Sequence, residues 1–523
     1  MRRHGFLDTL RPADIIADRA TRGERPPAGA AGSLKSLFFR MAHVRKSKGI
    51  SVFEKPKEFC GLFGIYGHDE AVYNTYLGLY ALQHRGEESC GIAVTNGTDI
   101  VSHRAMGLVN EALSPEVLAR LRSKIAIGHV RYSTTGGSRI ENAQPFVATY
   151  AKGPIAIAHN GNLVNTAELR HGYERHGGVF QTTTDTEVIV HVIAKASHSL
   201  NEERYGQCFN SLKGSYSLLI LTPHELVAAR DPHGFRPLSL GELNGSPVIA
   251  SETCALRQVG ARYVRDIEPG EMIRVTEDGM KSYMFAPPGE VRPKHCIFEL
   301  IYFARPDSYV FGQNVHDVRK NFGAQLAREH PVEADVVVPI PDGGNSAAVG
   351  YARESGIPLD YGFIRNHYVG RTFIQASQQR RSLGVAIKLS PVEEVVRGKR
   401  VVVIDDSIVR GTTSRAKIGQ LREAGAREIH MRVTCPPHCF PCFYGIDFQA
   451  KQELIAARRP IEEIKRFLKL DSLGYLSVEG MLSCVRPPKE HYCAACFTGD
   501  YAVPPCQDGG KFVLEAGVQK PAD

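Results

Sequence analysis

Residues 401–413 read VVVIDDSIVRGTT, and this stretch decides the fold of the second half of the chain. Its first four residues are apolar and predict a buried strand, which ends at two adjacent carboxylates, Asp405 and Asp406. Five small, polar or basic residues then lead into an amphipathic helix: Ser407, Arg410, Gly411, Thr412 and Thr413. A helix N-terminus binds a phosphate monoester well, because its dipole and its unpaired N–H groups both favour an anion. The stretch therefore predicts a phosphate site.

The two carboxylates need a different ligand, because they would repel a phosphate. Sugar hydroxyls or a divalent cation suit them, so the pattern predicts a ligand with a phosphate at one end and a vicinal diol in the middle. The alternative is an ordinary capped helix with solvated acids. That alternative is disfavoured because two acids directly after an apolar strand are costly to bury without a ligand.

A second unit of strand, polar loop and helix precedes this one, in ADVVVPIPDGGNSAAVGYARES at residues 334–355. Repeated units of this kind indicate a parallel α/β sheet whose ligand loops follow the C-terminal ends of the strands.

The IDDSIVRGTT motif resembles that of the phosphoribosyltransferase family. The resemblance implies that Asp405 and Asp406 hold the ribose hydroxyls and Mg²⁺, while the loop from Ser407 to Thr413 holds the 5′-phosphate of phosphoribosyl pyrophosphate. It also implies that PIPDGGN at residues 339–345 binds pyrophosphate through Asp342 and Gly343; serine is common in that family where this chain has Gly343.

The stretch between these loops, residues 365–391, is polar and basic. It resembles the mobile loop that folds over the substrate in the same family, with a solvated surface loop as the alternative. Its basic residues include Arg365, Arg371, Arg380, Arg381 and Lys388.

The first half of the chain has a different pattern of predicted strands and helices. From Cys60 to about Met284, short strands such as residues 125–134, 153–161 and 215–222 alternate with helical stretches such as residues 71–84, which predicts an α+β domain. The Pro- and Gly-rich residues 285–293 mark a boundary. We expect a leader at 1–59, domains at 60–290 and 291–490, and a C-terminal tail at 491–523.

Cys60 opens this domain, in KEFCGLFGIYG at residues 57–67. If the chain is cut between Phe59 and Cys60, the new α-amine, with a pKa of roughly 7.7–8.0, lies beside the thiol and can act as its base. The alternative is that Cys60 is a small buried residue at the start of a strand.

Four further motifs follow in order: LQHRGEESCGIA (82–93), GHVRYSTTG (128–136), IAHNGNLVN (157–165) and TTTDTEVI (182–189). Together with Cys60 they resemble the N-terminal-nucleophile glutamine amidotransferase family, which implies an αββα sandwich. The resemblance implies that Cys60 attacks glutamine, that the Asn160 amide and the Gly161 N–H form the oxyanion hole, that Arg131 pairs the α-carboxylate of glutamine and that Asp185 binds its α-ammonium. Taken alone, Asn160–Gly161 favours a type I′ turn.

The cysteines cluster towards the C-terminus, in CPPHCFPC at 435–442 and CAAC at 493–496, with Cys296 at the domain boundary. Such clusters bind zinc or an iron–sulfur cluster, and the spacing leaves both open. The nearby His295, His438 and His491 keep zinc open as the bound metal. The alternative to any metal site is that the twelve cysteines are scattered residues of the core.

The two domains together resemble the amidophosphoribosyltransferase family over roughly residues 60–500. CIFELIYFARPDS (296–308), PCFYGIDF (441–448) and CAACFTGDY (493–501) resemble its cluster-bearing branch. The resemblance implies a [4Fe–4S] cluster with a structural role, and glutamine-dependent synthesis of 5-phosphoribosylamine, the committed step of purine synthesis. It also implies inhibition by purine nucleotides and a homotetramer or homodimer. The implied cluster ligands are Cys296, Cys442, Cys493 and Cys496, with Cys435 and Cys439 spare.

Charge and hydropathy limit the other function classes. Residues 1–59 hold 13 Lys and Arg against 6 Asp and Glu, so they carry +7 of the net charge of +8 and the remainder is nearly neutral. A nucleic-acid partner is therefore suggested only by the leader, and a solvated basic tail explains it as well. A regulatory nucleic-acid-binding protein is the competing hypothesis. It is disfavoured because such a protein does not need the complete set of glutaminase residues, which are Cys60, Arg131, Asn160 and Asp185. No apolar run is long enough for a membrane span and no secretory signal is recognisable, so we expect a cytoplasmic enzyme.

Overall fold

The computed structural model describes residues 60–132, 136–195, 201–366, 389–448, 450–505 and residue 514, all within the unit Phe53–Asp523. The described residues fall into an antiparallel half followed by a parallel one. The predicted processing point between Phe59 and Cys60 adjoins residues that lie outside the described part of the chain.

Two antiparallel sheets form the first half. The strands in chain order are β1 (Gly61–Tyr66), β2 (Ser89–Thr95), β3 (Ile100–Met106), β4 (Ile125–Arg131), β5 (Phe146–Tyr150), β6 (Gly153–Leu163), β7 (Gly214–Leu221), β8 (Leu226–Arg230), β9 (Ser239–Leu243), β10 (Ser246–Ala250), β11 (Arg262–Asp266), β12 (Glu271–Thr276) and β13 (Gly279–Met284). The first sheet has the order β11-β9-β10-β1-β4-β2-β3, and the second has the order β13-β12-β8-β7-β6-β5.

Helices cover the outer faces of both sheets. They are α1 (Ala71–Ala81), α2 (Val109–Ala112), α3 (Pro115–Arg120), α4 (Thr166–Glu174), α5 (Asp185–Ala194), α6 (Glu202–Ser211) and α7 (Thr253–Gln258), with 3₁₀ turns at Gln83–Arg85 and Ile140–Asn142.

The sandwich is held by apolar side chains that alternate along the strands. Leu62, Ile127 and Leu219 pack between the two sheets and are fully buried. Leu79 of α1 packs on the outer face of the first sheet, and Ile189 of α5 packs on that of the second. This arrangement confirms the αββα sandwich expected from the sequence.

A parallel sheet forms the centre of the second half. The remaining strands are β14 (His295–Cys296), β15 (Tyr309–Val310), β16 (Gln313–Asn314), β17 (Val336–Pro339), β18 (Phe363–Arg365), β19 (Leu389–Pro391), β20 (Arg400–Asp405), β21 (Glu428–Val433), β22 (Ser472–Tyr475) and β23 (Tyr492–Cys493). The central sheet has the order β17-β20-β21-β22 with every pairing parallel. The α/β architecture with a parallel sheet that the sequence predicted for this half is therefore confirmed.

The helices of this half complete the strand–loop–helix units. They are a π-helix at Glu299–Phe303, then α8 (Val315–Glu329), α9 (Asn345–Ser355), α10 (Glu393–Val396), α11 (Thr412–Glu423), α12 (Ile461–Leu468), α13 (Val478–Ser483) and α14 (Ala495–Thr498), with 3₁₀ turns at Lys451–Glu453, Ile455–Ala457 and Lys489–His491. None of the helices within the described ranges has the length and apolar character that a membrane crossing requires.

Candidate active sites

Cys60 lies immediately before β1, the strand between β4 and β10 in the first sheet. Its side chain is 5% exposed, and its thiol donates to the carbonyl of Tyr132 at 3.6 Å. Because Gly61 pairs with Val130, Cys60 comes next to Arg131 in the strand register. The proposed nucleophile and the proposed carboxylate-binding arginine therefore lie at the same end of the sheet.

The main chain of Cys60 is fixed by a buried charged group. Arg85 donates from Nε to the Cys60 carbonyl at 3.1 Å, and its Nη2 donates to Glu299 of the second domain at 2.7 Å. Its Nη1 contacts both Glu299 and Glu252, and His84 also contacts Glu252. Burial alone would raise the pKa of Glu252, but His84 and Arg85 outweigh burial and hold that pKa well below its usual value.

Sequence reasoning missed this charged group. Arg85 stands in a quoted motif, LQHRGEESCGIA, and Glu299 in another, CIFELIYFARPDS, yet neither received a role. The motifs do contain these two residues of opposite charge, but the sequence does not show that Arg85 and Glu299 contact each other in the folded chain.

Asn160 and Gly161 lie within strand β6, so the alternative reading of these two residues as a hairpin turn is wrong. The Asn160 side chain is 2% exposed, and its Nδ2 has no hydrogen-bond partner within the described part of the chain. Gly161 has a φ of +145°, and a Cβ there would lie 2.1 Å from the carbonyl oxygen of Ser215, so the position accepts only glycine. A buried amide donor without an acceptor is costly, so it is well placed for the oxyanion of a bound substrate.

Asp185 begins helix α5 and points back to the strand that carries Asn160. Its Oδ2 accepts from the Leu163 N–H at 3.2 Å, and its Oδ1 lies 3.4 Å from His159 Nδ1. Burial alone would raise the pKa of Asp185, but the His159 ring, the Leu163 N–H and the Arg131 guanidinium outweigh burial and hold that pKa below its ordinary value. Asp185 therefore stays ionised near neutral pH, as a partner for an ammonium group must.

His159 is a second residue that sequence reasoning missed. It precedes Asn160 in β6, and its N–H donates to Gln144 Oε1 at 2.7 Å. Its ring lies between Asp185 Oδ1 and the Ser215 carbonyl, which is 3.4 Å from Nε2. His159 thus joins strand β6, which carries Asn160 and Gly161, to the carboxylate of Asp185.

The second site is built at the C-terminal end of β20. Asp405 is the last residue of this strand, Asp406 follows, and both are buried. Ser407 Oγ donates to Asp406 Oδ1 at 2.7 Å, and the ammonium of Lys417, in α11, lies 3.5 Å from Asp405 Oδ2. Lys417 is buried and was not predicted, because nothing in its sequence surroundings distinguishes it from a solvated lysine on a helix.

The predicted phosphate loop leads into α11 as expected. Gly411 precedes the helix with a φ of +80°, which places Thr412 and Thr413 in its first turn. Arg410 is paired with Glu453 at 2.8 Å. The N-terminus of α11 therefore opens beside the two carboxylates.

The second predicted loop lies next to the first. Ile340 donates from its N–H to the carbonyl of Ile404 at 2.8 Å, so Asp342 and Gly343 follow β17 close to the end of β20. Asp342 is exposed and forms an ion pair with Arg365. The four other basic residues named for the mobile loop, Arg371, Arg380, Arg381 and Lys388, lie outside the described residues.

The four predicted cluster ligands are close enough to influence one another electrically. Cys296 and Cys493 are paired residues of the parallel strands β14 and β23, and Cys442 Sγ accepts from the Tyr444 N–H at 3.4 Å. Burial, then the neighbouring thiols of Cys442, Cys493 and Cys296, raises the pKa of Cys496. Of the spare cysteines, Cys435 lies 3.8 Å from His438 Nε2, and Cys439 donates to the Ala456 carbonyl.

The metal assignment itself stays a prediction. Within the described ranges, no three or more His, Cys, Asp or Glu residues are grouped so that they could hold a metal ion. The described cysteines are free thiols. An iron–sulfur cluster takes its four thiolates on different iron atoms, so its ligand sulfurs stand further apart than those around one ion.

Comparison with known proteins agrees with the geometry. Residues 129–258 match the glutamine amidotransferase domain family, and residues 312–439 match the phosphoribosyl transferase domain family. The amidophosphoribosyltransferase of Methanothermobacter thermautotrophicus is 49% identical over 453 residues, which cover 86% of this chain and 95% of that protein. The chain belongs to the amidophosphoribosyltransferase family.

Two further amidophosphoribosyltransferases extend the comparison. The chloroplastic amidophosphoribosyltransferase 2 of Arabidopsis thaliana is 49% identical over 466 residues, covering 88% of this chain and 83% of that protein. The solved glutamine phosphoribosylpyrophosphate amidotransferase from B. subtilis, complexed with ADP and GMP, superposes with a TM-score of 0.81 at 48% identity and covers 86% of this chain and 98% of that one.

Family membership gives the chain its enzyme class. It is a glutamine amidotransferase and a phosphoribosyltransferase in one polypeptide, and hence a pentosyltransferase. Its function is the glutamine-dependent amidophosphoribosyltransferase step of purine biosynthesis.

Proposed function

We propose that Cys60 releases ammonia from glutamine and that the site around Asp405 and Asp406 transfers this ammonia to phosphoribosyl pyrophosphate. The products are glutamate, pyrophosphate and 5-phosphoribosylamine. The observation that carries the proposal is the buried arrangement of Cys60 with Arg131 and Asp185, which offers one guanidinium and one carboxylate to an amino-acid zwitterion beside a thiol.

In the first half-reaction, the sulfur of Cys60 attacks the carboxamide carbon of glutamine. The Asn160 amide and the Gly161 N–H stabilise the negative oxygen, and the C–N bond then breaks as the nitrogen takes up the proton from the thiol. Water hydrolyses the resulting thioester to glutamate. The proposed proton carrier is the α-amine of Cys60, which becomes free once the leader is cut after Phe59.

In the second half-reaction, ammonia attacks the anomeric carbon of phosphoribosyl pyrophosphate and pyrophosphate leaves. The N-terminus of α11 holds the 5′-phosphate, and Asp405 and Asp406 orient the ribose through its hydroxyls, which aligns attacking and leaving atoms. Asp342 and Gly343 lie in the loop proposed for pyrophosphate.

Asp405 and Asp406 are also the proposed Mg²⁺ ligands. Two buried carboxylates at a strand end are oxygen donors of the type that Mg²⁺ prefers. When bound, the ion would neutralise charge on the departing pyrophosphate.

The resemblance to the cluster-bearing branch of the family is our reason for choosing a [4Fe–4S] cluster over zinc, since four thiols that influence one another could hold either. We assign its ligands to Cys296, Cys442, Cys493 and Cys496 and give it a structural role. Iron and sulfide analysis after anaerobic purification tests the assignment. Cys442→Ser should lose iron while Cys435→Ser retains it; zinc in place of iron, or equal loss in both variants, would contradict it.

We propose the regulation by analogy with a relative, and the assembly from the family resemblance. The B. subtilis relative was solved with ADP and GMP, so purine nucleotides are the proposed feedback inhibitors. A homotetramer or homodimer in the cytoplasm, without a nucleic-acid or membrane partner, completes the proposal.

The test of function is the stoichiometry of products. The purified chain, given glutamine, phosphoribosyl pyrophosphate and Mg²⁺, should form glutamate and pyrophosphate in equal amounts. Asp405→Asn with Asp406→Asn should abolish pyrophosphate release. Glutamate without pyrophosphate from the unmodified chain would contradict the transfer half of the proposal.

A further inference from the structure

One segment of the second domain reaches both sites. We define the linking segment as residues 434–445, which follow strand β21. At its start, the Thr434 N–H donates to the carbonyl of Asp405 at 3.0 Å. Near its end, the Phe443 carbonyl accepts from Asn162 Nδ2 at 2.9 Å, and the Tyr444 carbonyl accepts from Arg236 Nη2 at 2.7 Å. Both of these donors belong to the glutaminase domain.

The end of the linking segment also touches the oxyanion strand directly. Gly445 has a φ of +103°, and a Cβ there would lie 3.3 Å from the carbonyl carbon of Gly161 and 3.0 Å from Arg236 Nη2. Asn162 stands two residues beyond Asn160 in β6, on the same face of the strand. The backbone of Phe443 to Gly445 therefore packs against Gly161, one of the two proposed oxyanion donors, and against Asn162 beside it.

The hydrogen bond from Arg236 to Tyr444 is buried and that from Asn162 to Phe443 is partly buried, so water replaces either donor poorly. Arg236 is almost fully enclosed and also lies 3.4 Å from Glu299. If either donor is removed, a carbonyl of the linking segment is left without its partner in a place from which water is largely excluded. An unpartnered carbonyl of this kind is unfavourable, and movement of the backbone relieves it.

We propose that Asn162 and Arg236 are positioning residues for glutamine hydrolysis. By holding the carbonyls of Phe443 and Tyr444 they fix the linking segment against Gly161, and so they fix the oxyanion donors of β6. This inference rests on the proposed role of Asn160 and Gly161. It adds that main chain of the second domain supports the strand that carries the proposed oxyanion donors.

The inference predicts which kinetic constant changes. Arg131 and Asp185, which face the two charged groups of glutamine, lie on β4 and α5, and Asp185 is bound to β6 at Leu163 rather than at Gly161. Glutamine binding should therefore change less than turnover when the hydrogen bond from Asn162 to the Phe443 carbonyl is lost. Displacing an oxyanion donor by a fraction of an ångström should lower turnover by roughly 10- to 100-fold.

Asn162→Ser in the full-length chain tests this, with Asn165→Ser as the matched control. Asn165 also donates from Nδ2 to a backbone carbonyl, that of Ser211, but this partner belongs to the glutaminase domain. For Asn162→Ser we expect kcat for glutamine to fall roughly 10- to 100-fold while KM changes less than about 2-fold. Ammonia-dependent turnover should stay within about 2-fold, and Asn162→Gln, which keeps the amide donor, should recover part of the loss.

A second readout reports on the oxyanion hole itself. Glutamate γ-semialdehyde forms a tetrahedral adduct with a cysteine thiol, so its inhibition of Asn162→Ser should weaken by the same factor as kcat, whereas product inhibition by glutamate should not change. Unchanged kcat, or equal losses with glutamine, with ammonia and in Asn165→Ser, would overturn the inference. An unmodified chain that hydrolyses no glutamine would instead overturn the proposed function.

Discussion

Asp185 illustrates how neighbours decide the charge of one carboxylate. Its burial would favour the neutral acid, but His159, the Leu163 N–H and Arg131 favour the anion more strongly. Because the pKa is depressed in the folded chain, the anion and its stabilising contacts are present above the ordinary carboxyl pKa and are lost only as the pH falls through the folded value.

His159→Gln should therefore change the pH dependence of glutamine binding. Without the ring beside Oδ1, the strongest influence that lowers the pKa of Asp185 is gone, so that pKa should rise and KM for glutamine should increase more as the pH is lowered from about 8 to about 5. The unmodified chain should show a nearly constant KM over that interval. KM measured across the interval gives the answer, and matching profiles for the two proteins would contradict the role given to His159.

Lys417 balances the buried charge of Asp405. Lys417→Met leaves Asp405 buried beside Asp406 without this cation, so the two carboxylates repel each other more strongly. We expect transfer to fall by at least about 10-fold with both glutamine and ammonia as nitrogen source. Steady-state rates with each donor measure the effect. A loss confined to glutamine would show that Lys417 acts elsewhere, and Arg328→Met on the surface serves as the control.

The strands and loops of the second domain were predictable because their pattern is local. The apolar residues 401–404 were expected as a strand, and the structure places β20 at Arg400–Asp405. The helix expected at residues 71–84 ends at Ala81 and continues as a 3₁₀ turn over Gln83–Arg85. Asn160–Gly161 misleads as an isolated dipeptide, since pairing of β6 with β7 outweighs its local preference for a turn.

The charged group around Arg85 was not predictable, because its members meet only in the folded chain. Arg85 lies 167 residues from Glu252 and 214 residues from Glu299 in sequence. In the sequence, each of these three residues looks like an ordinary charged residue. Lys417 and His159 were not predicted for the same reason, because their roles depend on which element packs against them.

Arg85→Met should destabilise the chain strongly. It leaves Glu252 and Glu299 buried without their shared guanidinium, and removing one partner of a buried ion pair costs about 3–5 kcal/mol. Arg328→Met, in an exposed pair with Glu354, should cost about 0–1 kcal/mol. Urea unfolding of both variants at pH 7 compares them. Equal midpoints would contradict a stabilising role for the Arg85 group.

The charged group around Arg85 also makes the stability of the folded chain depend on pH in the acidic range. The pKa of Glu252 is depressed in the folded chain, so its contribution is complete above its unfolded pKa of about 4.3 and is lost as the pH falls through the lower folded value. The stability difference between the unmodified chain and Arg85→Met should therefore narrow below about pH 4.

Across the whole molecule, the contacts between the two domains cluster beside the proposed cluster ligands. Glu299, which binds Arg85, lies three residues after Cys296, and Tyr444, which binds Arg236, lies two residues after Cys442. Short segments of buried chain thus link the proposed cluster ligands to the contacts that join the two domains.

If two separate sites share one ammonia intermediate, each site can be tested without the other. Cys60→Ala is assayed for pyrophosphate release from phosphoribosyl pyrophosphate with glutamine and, in parallel, with ammonium chloride at alkaline pH. Turnover with glutamine should be abolished, while turnover with ammonia should stay near that of the unmodified chain. Loss of both activities in a folded variant, or survival of the glutamine-dependent activity, would contradict it.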